Sequence, residues 1–427
     1  MSNPILALIP SGYKATKVYS VLPSDGSGDL TYDRNTPTDG TRVRKDGLIE
    51  LMGNDIPRLN WLNSDCPSLL IEPARTNRQV RSEQFSDAAW TKKADITVTA
   101  NQVTAPTGEL TADKIQRGST INTNNFLFDN VNKSASSALD ACTSVFVKQG
   151  EGDFFAFRAQ GSGLNQVNGI YQFSNNTLTT SADGSGFTVT SSKVENYGSG
   201  WYRLSIVYNT DTAATITTVF SPRGTTGDVD DTDTSTSAFV YLWGCQVEEG
   251  ASLTSYIETP ADAAVTRNLE TCKIADFSSM PSSYPITVYG EVIPNELSST
   301  SYAFSLLKDV DTNANYYLAL LLRNTSTVKI VRRDTDTTAS NSISHTLSAG
   351  TPFKFAVCFQ NETDFKYSFD GLSAVTVTSS DTVTWDYPDV LLGALRLSAD
   401  TGKRNPIKEF RLYDTELTDA ELKELTT

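Results

Sequence analysis

The chain is poor in histidine, methionine and cysteine. His345 is the only histidine among 427 residues, beside three methionines and five cysteines. A multi-histidine metal centre is thereby excluded, and any histidine-based triad would have to use that one residue. Cys66, Cys142, Cys245, Cys272 and Cys358 are odd in number, scattered, and form no C-x-x-C pair. They read as free, buried thiols of a chain folded in a reducing compartment. No run of 18 or more apolar residues occurs, which argues against membrane insertion through a helix. Ile5-Leu6-Ala7-Leu8-Ile9 is cut short by Pro10 and follows no basic region, unlike a signal peptide. Basic residues are also in deficit, 35 against 50 acidic, giving a net charge of -15. No nucleic-acid partner is expected, because phosphates need clustered Lys and Arg.

What is present points to β-structure. Ser and Thr make up about 23% of the chain and aromatics 10%, a mixture that suits strands and polar turns better than helices. Residues 1–78 are rich in Pro, Gly, Asp and Asn, with only short apolar runs such as Gly47-Leu48-Ile49-Glu50-Leu51-Met52. Strands so short need neighbours to bury them, and the segment reads as a loop-rich docking or oligomerisation arm. Residues 79–266 alternate apolar and polar positions, most clearly at 144–148, 154–158, 201–208 and 238–243. Turn residues separate these runs at the spacing of an antiparallel sandwich. Residues 267–427 repeat the texture, with strands expected at 286–292, 316–322, 328–332, 353–359, 365–369 and 374–377. A terminal helix is expected after Thr418, where Glu421 completes a capping box and Leu417, Leu422 and Leu425 supply an apolar stripe. The stretch 261–264 reads as the hinge between two β-domains. The fold class is therefore all-β, two sandwiches after an extended arm.

Several motifs in order carry a resemblance. Leu70-Ile71-Glu72-Pro73-Ala74-Arg75-Thr76-Asn77 is followed by Ser82-Glu83-Gln84-Phe85 and Trp90-Thr91, and later by Gly200-Trp201-Tyr202-Arg203-Leu204. Leu242-Trp243-Gly244-Cys245-Gln246-Val247-Glu248-Glu249-Gly250 and Thr254-Ser255-Tyr256-Ile257 close the series. Over residues 1 to 267 the chain resembles virion structural proteins of tailed bacteriophages, of the tail-fibre or head-fibre type. The resemblance implies a jelly roll like that of carbohydrate-binding modules in the middle. The ending Ile407-Lys408-Glu409-Phe410-Arg411-Leu412-Tyr413-Asp414 is similar to the close of concanavalin-A or laminin-G type sandwiches. It further implies assembly in a host cytoplasm into a virion, other virion proteins as partners, and a homo-oligomer, by analogy a trimer. Host surface polysaccharide is the implied ligand. A purely architectural part and a polysaccharide depolymerase remain the alternatives.

Catalytic patterns are weak. A glycosidase on such a sandwich needs paired carboxylates, but Glu291-Val292-Ile293-Pro294-Asn295-Glu296 lacks a central Asp and is broken by proline. Gly184-Ser185-Gly186 and Gly161-Ser162-Gly163 sit among turn residues, without the strand-turn-helix setting of a nucleophile elbow. No enzyme is expected, and His345 reads as structural. For a glycan, Trp385 beside Asp386 and Tyr387 is the candidate stacking site, against the plainer reading of an aromatic covering a core edge. For calcium, Asp309, Asp311 and Asn313 offer oxygens at alternate positions, against a turn whose Asp and Asn serve their own backbone. The run Gly227-Asp228-Val229-Asp230-Asp231-Thr232-Asp233 reads as a solvated acidic loop. Trp201 and Trp243 read as scaffold, and Arg42, Arg58 and Arg75 as residues suited to an assembly interface.

Overall fold

The computed structural model describes residues 1–427 except 35–39, 94, 120, 122–124, 295–296, 298–300, 310–315, 335–336 and 395–404. The alternating segments form antiparallel strands at the expected places. Ile286–Val292 and Phe353–Phe359 match in full, and Trp201–Asn209 and Thr327–Arg333 match to within a residue at each end. Among the described residues the only helix is Asp419–Thr426, capped by Thr418 and Glu421 in a reciprocal box.

Two compact units divide the chain. The middle unit holds residues 43–51 and 75–267; the terminal unit holds 1–42, 52–74 and 268–427. In the middle unit two six-stranded sheets face each other. The first runs in the order Thr91–Lys92, Leu127–Asn132, Thr215–Arg223, Phe154–Gln160, Gln166–Gln172, Thr177–Asp183. The second runs Ile96–Val103, Ala112–Arg117, Phe239–Glu249, Asp140–Glu151, Trp201–Asn209, Thr188–Gly198. Alternate residues from both sheets, among them Val145, Val147, Phe155, Phe157, Leu204 and Leu242, form one core. Strand neighbours distant in sequence give the crossing connections of a jelly roll. Gly244, at a φ of 59°, marks the register shift that turns Cys245 and Val247 inward after Trp243. A Cβ there would stand 2.9 Å from the Phe146 ring, so the bulge needs glycine.

The terminal unit corrects the expected division of the chain. Residues 1–74, apart from 43–51, form no arm of their own; their strands complete the C-terminal sheets. Leu6–Leu8 pairs with Ile407–Tyr413 through Leu6↔Leu412 and Leu8↔Phe410. Ser68–Leu70 pairs with Arg58–Asn60 and meets Ile407, and Leu30–Asp33 pairs with Thr271–Ile274. Strands of three or four residues thus find the burial they lack alone. An eight-stranded sheet containing Ile286–Val292, Phe353–Phe359 and Ile407–Tyr413 packs on a nine-stranded one, and residues of both form a single core. On the opposite face of the eight-stranded sheet, Leu417 and Leu422 of the helical region bury against Tyr289, Ala356 and Cys358. The stretch 261–264 lies inside the middle unit, where Arg81 pairs with Asp262 at 2.8 Å, and is not a hinge at the unit boundary.

A buried ion cluster ties the N-terminal strands in. Glu270 accepts from Arg34 Nε at 2.9 Å and Arg58 Nε at 2.7 Å, and Arg58 also reaches Glu72 at 2.6 Å and the Thr41 carbonyl at 2.7 Å. Arg34 and Arg58 are fully buried, so Arg58 serves the inside of the unit and is unavailable to an external interface. Arg42 lies over the Tyr13 ring, 5.6 Å from its centroid.

Candidate functional site

The side of the first sheet of the middle unit that faces away from the core carries a polar network, in which Arg158, Gln166 and Asn168 are buried and Asp183 is exposed. In Phe154–Gln160 the aromatic residues Phe155 and Phe157 point to the core, which turns Arg158 and Gln160 outward. Register then places Arg158 between Val219 and Asn168, and Asn168 beside Ser181. One row further, Gln160 lies between Thr217 and Gln166, and Gln166 beside Asp183. Asn130 extends that row as the neighbour of Thr217.

These groups hold one another. Arg158 Nε donates to Asn168 Oδ1 at 2.8 Å, and Asn168 Nδ2 donates to Asp183 Oδ2 at 2.9 Å. Gln166 Nε2 reaches the same oxygen at 3.0 Å, and Thr217 Oγ1 donates to Asn130 at 2.7 Å. Arg158 is clamped from the other side by Asp230 at 2.7 Å and Asp228 at 3.0 Å. Beside this ladder Val229 buries against Ala156 and Val219, and Phe126 and Phe128 cover them half-exposed. Lys93 lies 5.6 Å from each of the two ring centroids. The result is a face of fixed amide, guanidinium and carboxylate groups bordered by aromatic rings. Arg158, Gln166 and Asn168 are themselves buried, so a sugar would meet the ladder at its exposed or half-exposed members, Asp183, Gln160, Thr217 and Asn130. The fixed groups of these residues can exchange hydrogen bonds with hydroxyls that both donate and accept.

The acidic run 227–233 is solvated only in part: residues 230–232 are exposed, while Val229 and Asp233 are buried. Asp228 and Asp230 clamp Arg158, and the buried Asp233 pairs with Arg117 at 2.6 Å. Their partners lie 70 or more residues away, out of reach of a local reading. A second carboxylate organises the neighbouring turns. Asp211 accepts from Ser162 N, Ser162 Oγ, Asn165 Nδ2 and Ala213 N. Despite the opposing cost of burial, these hydrogen bonds hold its pKa down at about 2.

The residues singled out from sequence fare differently. Tyr387 is 1% exposed and its hydroxyl donates to the Arg333 carbonyl, so it has no face free for a sugar. Trp385 is half-buried, packs edge-on against Tyr284 and Tyr387, and donates its indole N–H to the Pro281 carbonyl at 2.6 Å. That is the plainer reading, a tryptophan covering a core edge. Asp386 pairs with Lys308. Asp309 is half-buried, while Asp311 and Asn313 lie outside the described residues. Among the described residues no three His, Cys, Asp or Glu side chains are grouped as a metal would need. His345 bonds Asp370 at 2.8 Å and packs on Phe353 and Phe369, a structural placement. Trp201 and Trp243 are buried. Four of the five cysteines are buried; Cys66 is exposed, contrary to expectation.

The motif residues form a clasp in the middle unit. Asn77 donates to the carbonyls of Cys245 and Ile257, Gln246 accepts from Ile257 N, and Glu248 accepts from Thr254 N and Oγ1. Ser82 and Glu83 both bond the Tyr256 hydroxyl, which stacks near Trp243. Burial and the neighbouring Glu258 push the Glu83 carboxyl up to about 7. The motifs thus secure the fold and lie apart from the polar ladder.

No family model matches the chain, and no curated protein does. Among solved structures, the chain is similar to the carbohydrate-binding module of Ruminococcus gnavus IT-sialidase bound to α2,3-sialyllactose, at 16% identity and a TM-score of 0.32. That likeness covers 37% of this chain and 96% of the other. Domain 4 of an extracellular arabinanase from Geobacillus stearothermophilus, in complex with arabinotriose, is similar at 17% identity and a TM-score of 0.29, over 37% of this chain and 73% of that one. A heptameric SAP-like pentraxin from Limulus polyphemus is similar at 11% identity and a TM-score of 0.28, covering 35% of this chain and 72% of the other.

Proposed function

We propose that this chain is a non-catalytic glycan-binding protein of a phage virion, part of a fibre, spike or head-decorating appendage that adheres to host surface polysaccharide. The observation that carries the glycan reading is the ladder in which the buried Asn168 and Gln166, the former held by Arg158, fix the exposed Asp183 carboxylate at the rim of the sheet. The virion reading is supported by the ordered motifs of residues 70–91 and 242–257. Weak sites repeated on a homo-oligomer, such as a trimer among other virion proteins, gain avidity without new contacts.

The test is a bacterial glycan array probed with the full chain, with and without calcium. Saturable binding to a polysaccharide, weakened at least tenfold by Asp183→Ala, is expected. Asp183 is exposed, so the substitution spares the core. A blank array for the folded protein overturns the adhesive reading in favour of an architectural part. Release of reducing ends from a bound glycan would instead make the protein a depolymerase. A calcium requirement would point to the Asp309 turn.

A further inference from the structure

The nine-stranded sheet of the terminal unit presents a second face of different chemistry. Its last four neighbouring strands are Ser301–Leu307, Tyr317–Asn324, Thr327–Arg333 and Thr338–Ser344. Leu318, Leu320, Leu322, Val328 and Ile330 point into the core. Alternation therefore turns Tyr317, Ala319, Leu321 and Arg323 outward, with Lys329, Val331 and Arg333 beside them. Register sets Leu321 between Tyr302 and Lys329, and Tyr317 between Leu307 and Arg333. Ala319, Leu321 and Val331 form a small apolar floor against which Tyr302 and Tyr317 pack half-buried. The edge strand adds only small hydroxyl side chains on this side, Thr338, Ser340 and Ser342, all exposed.

Charge gives the face its character. A chain with 50 acidic residues places none in these four strands, yet they carry Arg323, Lys329, Arg332 and Arg333. Arg332 is buried and spends its donors on the carbonyls of Asn361, Glu362 and Thr363. Arg323, Lys329 and Arg333 are exposed or half-exposed, and among the described residues none of them is ion-paired. Unpaired cations beside the half-exposed Tyr317 offer charge to an anion and ring area to a pyranose.

We infer that this face binds a carboxylate-bearing polysaccharide of the uronate type, with Lys329 and Arg333 meeting the carboxylates and Tyr317 a sugar ring. The site is independent of the ladder in the middle unit and differs from it in selecting for charge. The test is affinity electrophoresis of the full chain through gels containing polygalacturonate, neutral dextran or polyglutamate, with chelator present. Retardation is expected with polygalacturonate alone. It should fall at least tenfold in K329Q/R333Q and in Tyr317→Ala, and stay unchanged in Lys423→Gln, which removes an exposed cation of the terminal helix away from this face. Unaltered thermal transitions of the variants would confirm that the fold is intact. Equal retardation of K329Q/R333Q and the parent chain, retardation by polyglutamate as strong as by polygalacturonate, or none in any gel overturns the inference.

Discussion

Glu83 is the residue whose environment makes the sharpest demand. Its carboxyl sits near 7 because burial and Glu258 disfavour its charge. A carboxyl raised in the folded state contributes stability that is complete below the unfolded value near 4.5. That contribution is lost as pH rises through about 7. The melting temperature of the middle unit should therefore slope downward between these pH values, and the slope should flatten in Glu83→Gln, as calorimetry across pH would read. Glu270 poses the opposite problem. It neutralises Arg34 and Arg58, both fully buried, and Glu270→Gln leaves guanidinium charge in the interior. A loss of about 3–5 kcal/mol is expected in denaturant unfolding of the terminal unit. The thiols give a simpler count: a thiol reagent should label Cys66 alone in the native chain and all five cysteines in denaturant.

At the scale of elements, alternation and capping carried most of the local information. Strands such as Phe154–Gln160 and Phe353–Phe359 announce themselves because one face must be apolar and the other polar. The helix did so through Thr418 and Glu421. Thr418→Ala should cost about 1 kcal/mol of local stability, visible as faster amide exchange at 419–422. Pairing was not legible. Nothing near Leu6 says that its partner is Leu412, and nothing near Asp228 says that its partner is Arg158. The ladder was missed for the same reason. Gln160, Gln166, Asn168 and Asp183 look like ordinary solvent-side positions until register lays their three strands side by side. Tryptophan is no guide to the site in this chain, since phenylalanines border the ladder and Trp385 covers a core edge.

For the whole molecule, division into two β-sandwiches was readable, but not which residues build each. Composition shows where the strands lie, whereas unit membership depends on contacts that span nearly the entire chain, as Leu6–Leu8 on Ile407–Tyr413 shows. The recognisable motifs proved to be the fold's own fastenings. Two sheet faces carry the functional reading instead, one a largely buried hydrogen-bonding ladder ending in the exposed Asp183 and the other cationic and aromatic. The most direct test of the central claim is hydrogen–deuterium exchange of the full chain with a glycan bound from the array. Slowed exchange in the edge strand Thr177–Asp183 and in 227–233 is predicted, since these border the ladder. Unchanged exchange in both segments, with the glycan bound, would contradict the assignment of the site.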